Sequence, residues 1–554
     1  MSNSLIFSFF ALMTPLNLSG RLSNQAQSCH QNDKKKTQNI GLTLTAVNSM
    51  QNGQLIAAVD LGSNSFRLEI GVFEDGQIRR VDYIKETVRQ GNGLDADRML
   101  SKEAMQRGWD CLARFAERLA GFSLEHVRAV ATQTLREAKN RDVFLIQATT
   151  ILGFPIEVIS GKEEARLIYL GVAHGLPQSN EKRLVIDIGG RSTEMILGRG
   201  YKSTVMESYR VGSVKWSMKY FSTGQFTTTA FTKAEIAAKA VLDEALSLYP
   251  RQSWDIAYGS SGTVGAVVDV LNAAGWPEGK ITREGLDWLK EKLIKMEHVD
   301  SLKLDGVKDD RKPVIGGGLS ILFALFDLLG IEEMHAAQGA LRQGVLQDLL
   351  DRLERDDTTD LRSSMVTALA SRFAVDMAQA DRVTRTALHL FQNLQTAEGK
   401  KSGRLIRLEN KLSWAAQLLE IGTRISHSDF HKHGAYILDN ADLTGFSMPE
   451  LHRLSQLILG HRGKLKKLDP ELRDEDFVCQ LMSLRLAAIL CHARREPELK
   501  GLTFKRSEVD SGFVISCKKH WAQQWPQSAH LIQEECEAWL KTNWQLHFQI
   551  NSGV

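Results

Sequence analysis

The chain has 554 residues, 43% of them hydrophobic, which is enough for three or four domains with buried cores. Its formal net charge of +3 excludes an overall polycation that binds nucleic acid, so an anionic ligand must be held by local basic clusters. No stretch approaches the roughly 18 apolar residues of a membrane span. The 6 cysteines include no Cys-x-x-Cys pair, so we expect a cytoplasmic protein with reduced thiols and no integral membrane contact.

Residues 1–50 are predicted to form a non-globular extension. An apolar stretch that starts at Leu5 is interrupted by Ser, Thr and Pro, and polar sequence with three consecutive lysines follows. The stretch lacks the basic segment and the small-residue cleavage site of a secretory signal. Our hypothesis is that the physiological start is Met50.

The first predicted hairpin places a carboxylate beside a glycine turn. Residues 55–59 are an apolar run typical of a buried strand, and Asp60 follows it. Glycine lets the backbone approach a ligand closely, while amide N–H groups and short polar side chains donate hydrogen bonds to phosphate oxygens. The pattern therefore favours a phosphate loop formed by Gly62, Ser63, Asn64 and Ser65.

Predicted strands and helices follow the hairpin up to about residue 174. The pattern predicts a strand pair near 77–88, an amphipathic helix capped by Ser101, and a strand at 127–131 that ends shortly before Arg136. A strand at 156–159 then leads into a helix with Glu164 in its first turn. The local pattern alone explains Arg136 as a surface arginine and Glu164 as a carboxylate that the helix dipole favours.

The hairpin pattern recurs 127 residues later, at residues 184–198. Asp187 and Gly189 align with Asp60 and Gly62, and Ser192 aligns with Ser65. Two similar hairpins one domain apart predict two related lobes, residues 51–174 and 175–345, that face each other across a cleft. After residue 346 strand signals disappear, so we expect a helical domain at 346–500 and a small α/β piece at 501–554.

These motifs, in this order, resemble the exopolyphosphatase/guanosine pentaphosphate phosphatase family. Further matching stretches are residues 134–136, 160–167, 259–263 and 339–342. The resemblance implies an α/β fold with two actin-like lobes, each built on a ribonuclease H-like sheet. An all-α HD-like domain and the small C-terminal α/β piece would follow.

The resemblance also implies the site residues. Glu164 takes the place of the catalytic general base, and Arg136 contacts phosphate. Asp187 and Glu194, joined by Asp60, would bind Mg²⁺, which prefers oxygen ligands. Whether a monovalent cation is also required stays open. The loops would bind phosphate through Gly62, Ser63, Asn64, Ser65, Gly189, Gly190, Arg191 and Ser192. The family has a small residue where this chain has Arg191, and we interpret the arginine as an added phosphate contact.

The helical domain resembles HD-type metal phosphohydrolases around residues 414–422. Leu419 and Glu420 replace the His-Asp pair, and leucine cannot bind a metal, so no HD-type centre is expected. We predict that this domain carries a basic track that binds a long polyanion. The alternative is an ordinary solvated basic face. Its residues are Arg424, His427, His431, His433, Arg462 and Lys464.

The predicted function is a Mg-dependent exopolyphosphatase that releases orthophosphate processively from inorganic polyphosphate. The first alternative is hydrolysis of pppGpp to ppGpp at the same site, which requires a guanine pocket. The second is a non-catalytic sensor of ppGpp or polyphosphate, and a sugar-kinase-like transferase using the 259–263 loop is a further one. Family members are commonly dimers, so a homodimer is expected.

Overall fold

The computed structural model describes residues 50–354, 361–395, 403–509 and 512–551. The predicted N-terminal extension lies outside the described residues except for Met50. The domain boundaries predicted after residues 174, 345 and 500 stay predictions.

The first lobe is built on a five-stranded sheet in the order β3-β2-β1-β4-β5. Strands β1 to β3 are antiparallel, and β4 and β5 run parallel to β1. The central strand is buried except at its first residue, as its apolar run predicts. The strands are β1 (Leu55–Leu61), β2 (Phe66–Glu74), β3 (Gln77–Glu86), β4 (Val127–Ala131) and β5 (Ile156–Val158).

Four helices accompany this sheet. The predicted cap of the first helix is present, because the Ser101 hydroxyl accepts a hydrogen bond from the Ala104 N–H at 3.2 Å. Ser160 caps the fourth in the same way, through the Glu163 N–H at 3.1 Å. The helices are α1 (Lys102–Arg118), α2 (Gln133–Glu137), α3 (Arg141–Leu152) and α4 (Gly161–His174).

The second lobe repeats this topology in a six-stranded sheet. Read from one edge, its order is β8-β7-β6-β9-β11, which matches β3-β2-β1-β4-β5, and β10 is added at the far edge. The repeated strand order confirms the two related lobes predicted from the two hairpins. The strands are β6 (Lys182–Ile188), β7 (Thr193–Arg199), β8 (Lys202–Tyr209), β9 (Ile256–Ser260), β10 (Lys280–Thr282) and β11 (Glu333–Ala336).

The helices of the second lobe pack around a hydrophobic core, and one of them is very apolar and largely buried. They are α5 (Ser213–Tyr220), α6 (Thr228–Leu242), α7 (Ala245–Leu248), α8 (Ser261–Ala273), α9 (Arg283–Met296) and α10 (Ile315–Leu329). Within the described ranges, one segment is long and apolar enough to cross a membrane, Lys312–Leu329, and 72% of it is buried inside the protein. The apolar run at residues 319–329 by itself predicts a helix that starts after the three glycines 316–318, but the helix begins at Ile315 and includes them. A side chain at Gly317 would collide with the α5 backbone at Ser213 and Ser217, so glycine permits the close packing.

Helix α11 (Leu341–Glu354) leaves the second lobe and packs against α4 of the first. The two backbones touch at three glycines, Gly171, Gly339 and Gly344, where any side chain would overlap a backbone atom of the facing helix. The helix that carries Glu164 in its first turn is therefore held tightly against the helix that carries Arg342.

The C-terminal half is helical and ends in a three-stranded sheet with the order β12-β13-β14. One continuous hydrophobic core spans both parts, so the small α/β piece packs on the helices. The helices are α12 (Leu361–Arg372), α13 (Met377–Asn393), α14 (Gly403–Gln417), α15 (Phe430–Asp439), α16 (Met448–Gly460) and α17 (Glu475–Leu490). The final elements are β12 (Leu502–Arg506), β13 (Gly512–Lys518), α18 (Lys519–Gln524), α19 (Pro526–Trp539) and β14 (Gln545–Asn551).

The helical domain is attached to the first lobe directly beside Glu164. The Gly445 N–H donates to the Glu163 carboxylate at 2.7 Å, and Ser447 forms a β-bridge with Ile159. Met448 packs against the core of the first lobe. The α/β fold with two similar lobes and a helical domain agrees with the predicted fold class.

Candidate active site

The first phosphate loop connects β1 to β2 and is fixed from two sides. Thr134 at the start of α2 donates a hydrogen bond from its hydroxyl to the Ser63 hydroxyl at 2.8 Å. The Arg89 N–H donates to the Asn64 carbonyl, also at 2.8 Å. Asp60 lies opposite Arg67 in the hairpin register, and the Arg67 guanidinium donates to the Asp60 carboxylate at 3.4 Å.

The second phosphate loop connects β6 to β7 in the equivalent place. Asp187 lies opposite Glu194 in the register, so a glutamate occupies the position that Arg67 holds in the first hairpin. The Ser260 hydroxyl, at the end of the neighbouring parallel strand, donates to Asp187. The Ser208 hydroxyl donates to the Glu194 carboxylate at 2.7 Å.

Both loops line one cleft of about 90 Å³ between the lobes. This arrangement is what two facing hairpins predict. Of the predicted site residues, the cleft lining includes Asp60, Gly62, Ser63, Asn64, Ser65, Glu164, Asp187, Gly189, Gly190 and Ser192.

Glu164 enters the cleft from the first turn of α4 and is held by Arg136. The Arg136 guanidinium donates to the Glu164 carboxylate at 3.0 Å and to the Ile159 carbonyl at 2.6 Å. Burial raises the pKa of Glu164 to about 7, while Arg136 opposes the rise and the charges of Asp60 and Asp187 add to it. A carboxyl that titrates near neutral pH is suited to accept a proton from water.

Two further acids are also destabilised as anions, namely Asp187, which lines the cleft, and Glu194, which lies opposite it in the hairpin, is buried and does not line the cleft. Burial raises the pKa of Glu194 well above its usual range, and the charges of Glu164 and Asp187 contribute. Burial likewise raises the pKa of Asp187, against the hydrogen bond from Ser260. Several buried carboxylates in one cleft favour a cation, because its charge would relieve both the desolvation and their mutual repulsion.

The residues present fit a magnesium ion that shares its coordination with a ligand. Among the described residues, no three ligating side chains converge closely enough to enclose a metal by themselves. Mg²⁺ usually keeps several waters and takes one or two carboxylates plus phosphate oxygens. Asp60, Asp187 and Glu194 suit such an open site, and their role as metal ligands stays a prediction.

Polar atoms without partners show what else the cleft can hold. Among the described residues that line the cleft, three buried donors have no hydrogen-bond acceptor, namely Asn64 Nδ2, Ser65 Oγ and Arg67 Nε, and Arg342 Nη1 beside Asp60 is a fourth. Unpaired buried donors are costly, and phosphate oxygens would satisfy them. The donors and the acids together describe a site for a metal-bound phosphate.

Three arginines of this region were missed by the sequence analysis. Arg67 and Arg311 line the cleft, and Arg342 reaches Asp60 at 3.7 Å while it donates to Glu69 at 3.2 Å. The repeat contained a signal for Arg67, since this residue aligns with Glu194. The matched stretch 339–342 included Arg342, but nothing in it predicted an approach to Asp60.

Two arginines that were predicted to contact phosphate make their contacts outside the cleft. Neither Arg136 nor Arg191 lines the cleft. The Arg136 guanidinium holds Glu164, and the Arg191 guanidinium binds Glu137 of the first lobe. Lys162, two residues before Glu164, pairs with Glu207 at 3.0 Å. Direct phosphate binding by Arg136 and Arg191 stays a prediction.

The predicted basic track lies in the helical domain, around the start of α15 and the end of α16. His431 is buried, faces His461 at 6.2 Å between ring centroids, and has a pKa lowered to about 4 by burial and nearby cations. Arg462 stacks over Phe430 at 4.9 Å. At the site of the lost His-Asp pair, Leu419 is buried and Glu420 accepts two hydrogen bonds from Arg494. Arg424, His427, Arg462 and Lys464 are exposed, and His433 is half-buried.

The chain matches known proteins over most of its length. A sequence model of the Ppx/GppA phosphatase family matches residues 70–353, and one of Ppx/GppA phosphatase domain III matches residues 361–538. The guanosine-5'-triphosphate,3'-diphosphate pyrophosphatase of Vibrio atlanticus (strain LGP32) is 38% identical over 499 residues, 89% of this chain and 98% of that protein. The protein of the same name from Pseudoalteromonas translucida (strain TAC 125) is 38% identical over 493 residues, 88% of this chain and 97% of its own.

Solved structures match about half of the chain. A PPX-GPPA enzyme of Aquifex aeolicus shares 26% identity with a TM-score of 0.45, covering 53% of this chain and 98% of that one. An exopolyphosphatase from Cytophaga hutchinsonii shares 22% identity with a TM-score of 0.48, covering 54% of this chain and 98% of that one.

Proposed function

The chain belongs to the Ppx/GppA phosphatase family, and we propose that within it this chain removes the terminal 5'-phosphate of pppGpp to give ppGpp. Family membership makes it a hydrolase of phosphoric anhydrides. The observation that carries the choice of substrate is the 38% identity to two pyrophosphatases named for guanosine-5'-triphosphate,3'-diphosphate, which extends over nearly their whole length. The polyphosphate prediction therefore takes second place to its alternative.

A second cavity beside the phosphate site supports a nucleotide substrate. It has a volume of about 400 Å³ and shares Asn64 with the cleft. Its walls combine apolar side chains with polar groups, as small-molecule sites usually do. A polyphosphate chain offers no apolar surface, whereas a nucleoside does. Lining residues include Arg89, Asn92, Val214, Met218, Phe221, His298 and Pro313.

The proposed reaction needs few groups. The unpaired donors of Asn64, Ser65 and Arg67 hold the terminal phosphate, and Glu164 accepts a proton from the attacking water. The new bond joins the water oxygen to the terminal phosphorus. The bond to the bridging oxygen breaks, and that oxygen leaves on ppGpp with the electron pair.

The proposed metal is Mg²⁺, held by Asp60, Asp187 and Glu194 together with water and phosphate oxygens. When bound, it would neutralise charge on the phosphate oxygens. Three further points stay predictions: the binding of a monovalent cation, the formation of a homodimer and a cytoplasmic location.

The proposal is tested by phosphate release from pppGpp and from long-chain polyphosphate, measured in parallel with Mg²⁺. We expect faster release from pppGpp, and loss of both activities in Glu164→Gln. Preference for polyphosphate would keep the chemistry and overturn the proposed substrate. Release from neither substrate would favour the sensor alternative.

A variant in the second cavity tests the nucleotide position. Met218 is 49% exposed and lines that cavity, so Met218→Glu should raise the KM for pppGpp by roughly tenfold through repulsion of a phosphorylated nucleotide. Met99 is a matched control, since it is 41% exposed and lines neither cavity, and Met99→Glu should leave the KM unchanged. Equal effects of the two variants would exclude a nucleoside in this cavity.

A further inference from the structure

The side chain of Arg191 leaves the second phosphate loop and crosses to the first lobe. Its Nε and Nη2 donate to Glu137 Oε2 at 3.2 and 3.0 Å, and its Nη1 donates to the Gly91 carbonyl at 3.0 Å. The side chains of Arg191 and Glu137 are 12% and 14% exposed. A planar guanidinium with three such bonds is held in one orientation, which a surface ion pair does not achieve.

The backbone around Arg191 is shaped to receive this side chain. A Cβ added at Gly91 would lie 3.2 Å from Arg191 Cδ and 3.2 Å from Ser63 Cβ. The Gly91 N–H in turn donates to the Ser63 carbonyl at 2.8 Å. The same glycine therefore receives the arginine from one lobe and supports the phosphate loop of the other.

From Glu137 the hydrogen bonds continue to the proposed base. Gln133 Nε2 donates to Glu137 Oε1 at 2.7 Å, and Gln133 Oε1 accepts from Arg136 Nε at 3.0 Å. Arg136 Nη2 then donates to Glu164 Oε2 at 3.0 Å. The orientation of the Gln133 amide is fixed, because an ionised carboxylate only accepts and a guanidinium only donates.

We propose that Arg191 is a positioning residue that couples contact between the lobes to the orientation of Glu164. When the second phosphate loop lies against the first lobe, Arg191 fixes Glu137, Glu137 orients Gln133, and Gln133 together with the Ile159 carbonyl holds Arg136 on the base. When the loop withdraws, Glu137 loses the guanidinium that is hydrogen-bonded to it, and Gln133 is free to turn. The inference rests on the proposed role of Glu164 as base.

This role differs measurably from a phosphate contact. An arginine that binds substrate raises KM when it is removed, whereas one that aligns the base lowers kcat and leaves KM largely unchanged. Because misplacement of a catalytic group by about 1 Å can cost up to 100-fold, we expect Arg191→Ala to lower kcat by roughly 10- to 50-fold. The KM should stay within about threefold of the wild type.

A double-mutant cycle tests whether the effect travels through Gln133. Arg191 and Gln133 make no direct hydrogen bond, so independent roles would give multiplied losses in Arg191→Ala/Gln133→Ala. A shared path predicts a double variant no slower than the slower single variant. Arg191→Lys keeps the charge but not the three-bond geometry, so it should recover only part of the loss.

Lys215 supplies the matched control. Its charge acts on Glu137, and its ammonium donates to the Arg210 carbonyl at 3.4 Å. Lys215→Ala should leave kcat within about twofold of the wild type, because the inferred path needs the hydrogen bonds and not charge alone. The assay is phosphate release under saturating pppGpp, with near-UV circular dichroism to verify folding of each variant.

Each outcome decides one question. A rise in KM with constant kcat in Arg191→Ala would assign the residue to phosphate binding and overturn the inference. Multiplied losses in the double variant, an equal loss in Lys215→Ala, or no loss at all would also overturn it. Full activity of Glu164→Gln would instead remove the proposed base, so the two failures are distinguishable.

Discussion

Exchanging the Glu164 carboxyl for an amide should remove activity and yet stabilise the metal-free protein above neutral pH. Burial raises the pKa of Glu164 from 4.5 to about 7. Below pH 4.5 this carboxyl is protonated in the folded and the unfolded chain, so its contribution to stability is fully present there. That contribution is lost as the pH rises through about 7, because the folded chain must then ionise a buried group.

The size of the effect follows from the same shift. At about pH 8.5 the loss approaches 3 kcal/mol, since each pKa unit corresponds to roughly 1.4 kcal/mol. The amide carries no charge, so Glu164→Gln should melt above the wild type, by less than the roughly 2–4 °C per kcal/mol of a 150–250-residue domain because this chain is longer. Melting curves in metal-free buffer should differ most at about pH 8.5 and converge towards pH 4.5, because protonation removes the penalty.

Glu163 is the matched control, because it is the adjacent buried glutamate and has cationic partners. It accepts two hydrogen bonds from Arg166 at 2.8 Å each and one from the Gly445 N–H at 2.7 Å. Removing one partner of such a buried pair costs roughly 3–5 kcal/mol, so Glu163→Gln should lower the melting temperature. A lower melting temperature for Glu164→Gln at about pH 8.5 would refute this account of the cleft.

Three further results are expected. The kcat/KM should increase with pH as Glu164 ionises. The midpoint of a pH-rate profile should lie at or below about 7, because bound Mg²⁺ would favour the ionised carboxylate. Arg67→Ala should raise the KM by roughly 10- to 100-fold in steady-state assays, since its unpaired Nε is a proposed donor to phosphate. Asp187→Asn should increase the Mg²⁺ concentration needed for half-maximal activity by roughly tenfold or more, and a Mg²⁺ titration that matches the wild type would exclude it as a ligand.

The framework of the site could be predicted from the sequence because it depends on local patterns. An apolar run that ends in Asp and a glycine turn predicts each phosphate loop, and the 127-residue repeat predicts the two lobes. The caps at Ser101 and Ser160 also follow from short patterns. These features need only neighbouring residues, so the sequence contains them.

The partners of long side chains could not be predicted, because they depend on how the lobes are placed. Arg191 binds Glu137 and Arg136 binds Glu164, and in both cases the sequence suggested a phosphate instead. The proposed choice of pppGpp was likewise beyond the sequence patterns, since the second cavity combines residues from 64 to 316. The three glycines at the start of α10 were placed before the predicted helix for the same reason, because glycine is needed there only once α5 packs against them.

The two hairpins differ at one aligned position, Arg67 in the first and Glu194 in the second. A lobe paired with an identical copy of itself would carry either two arginines or two glutamates at this position. Here the position carries a cation in the first lobe and an anion in the second, so the two sides of the site are not equivalent. If the proposed phosphate and its counter-cation bind here, this one divergent residue pair would favour one of their two orientations between otherwise similar lobes.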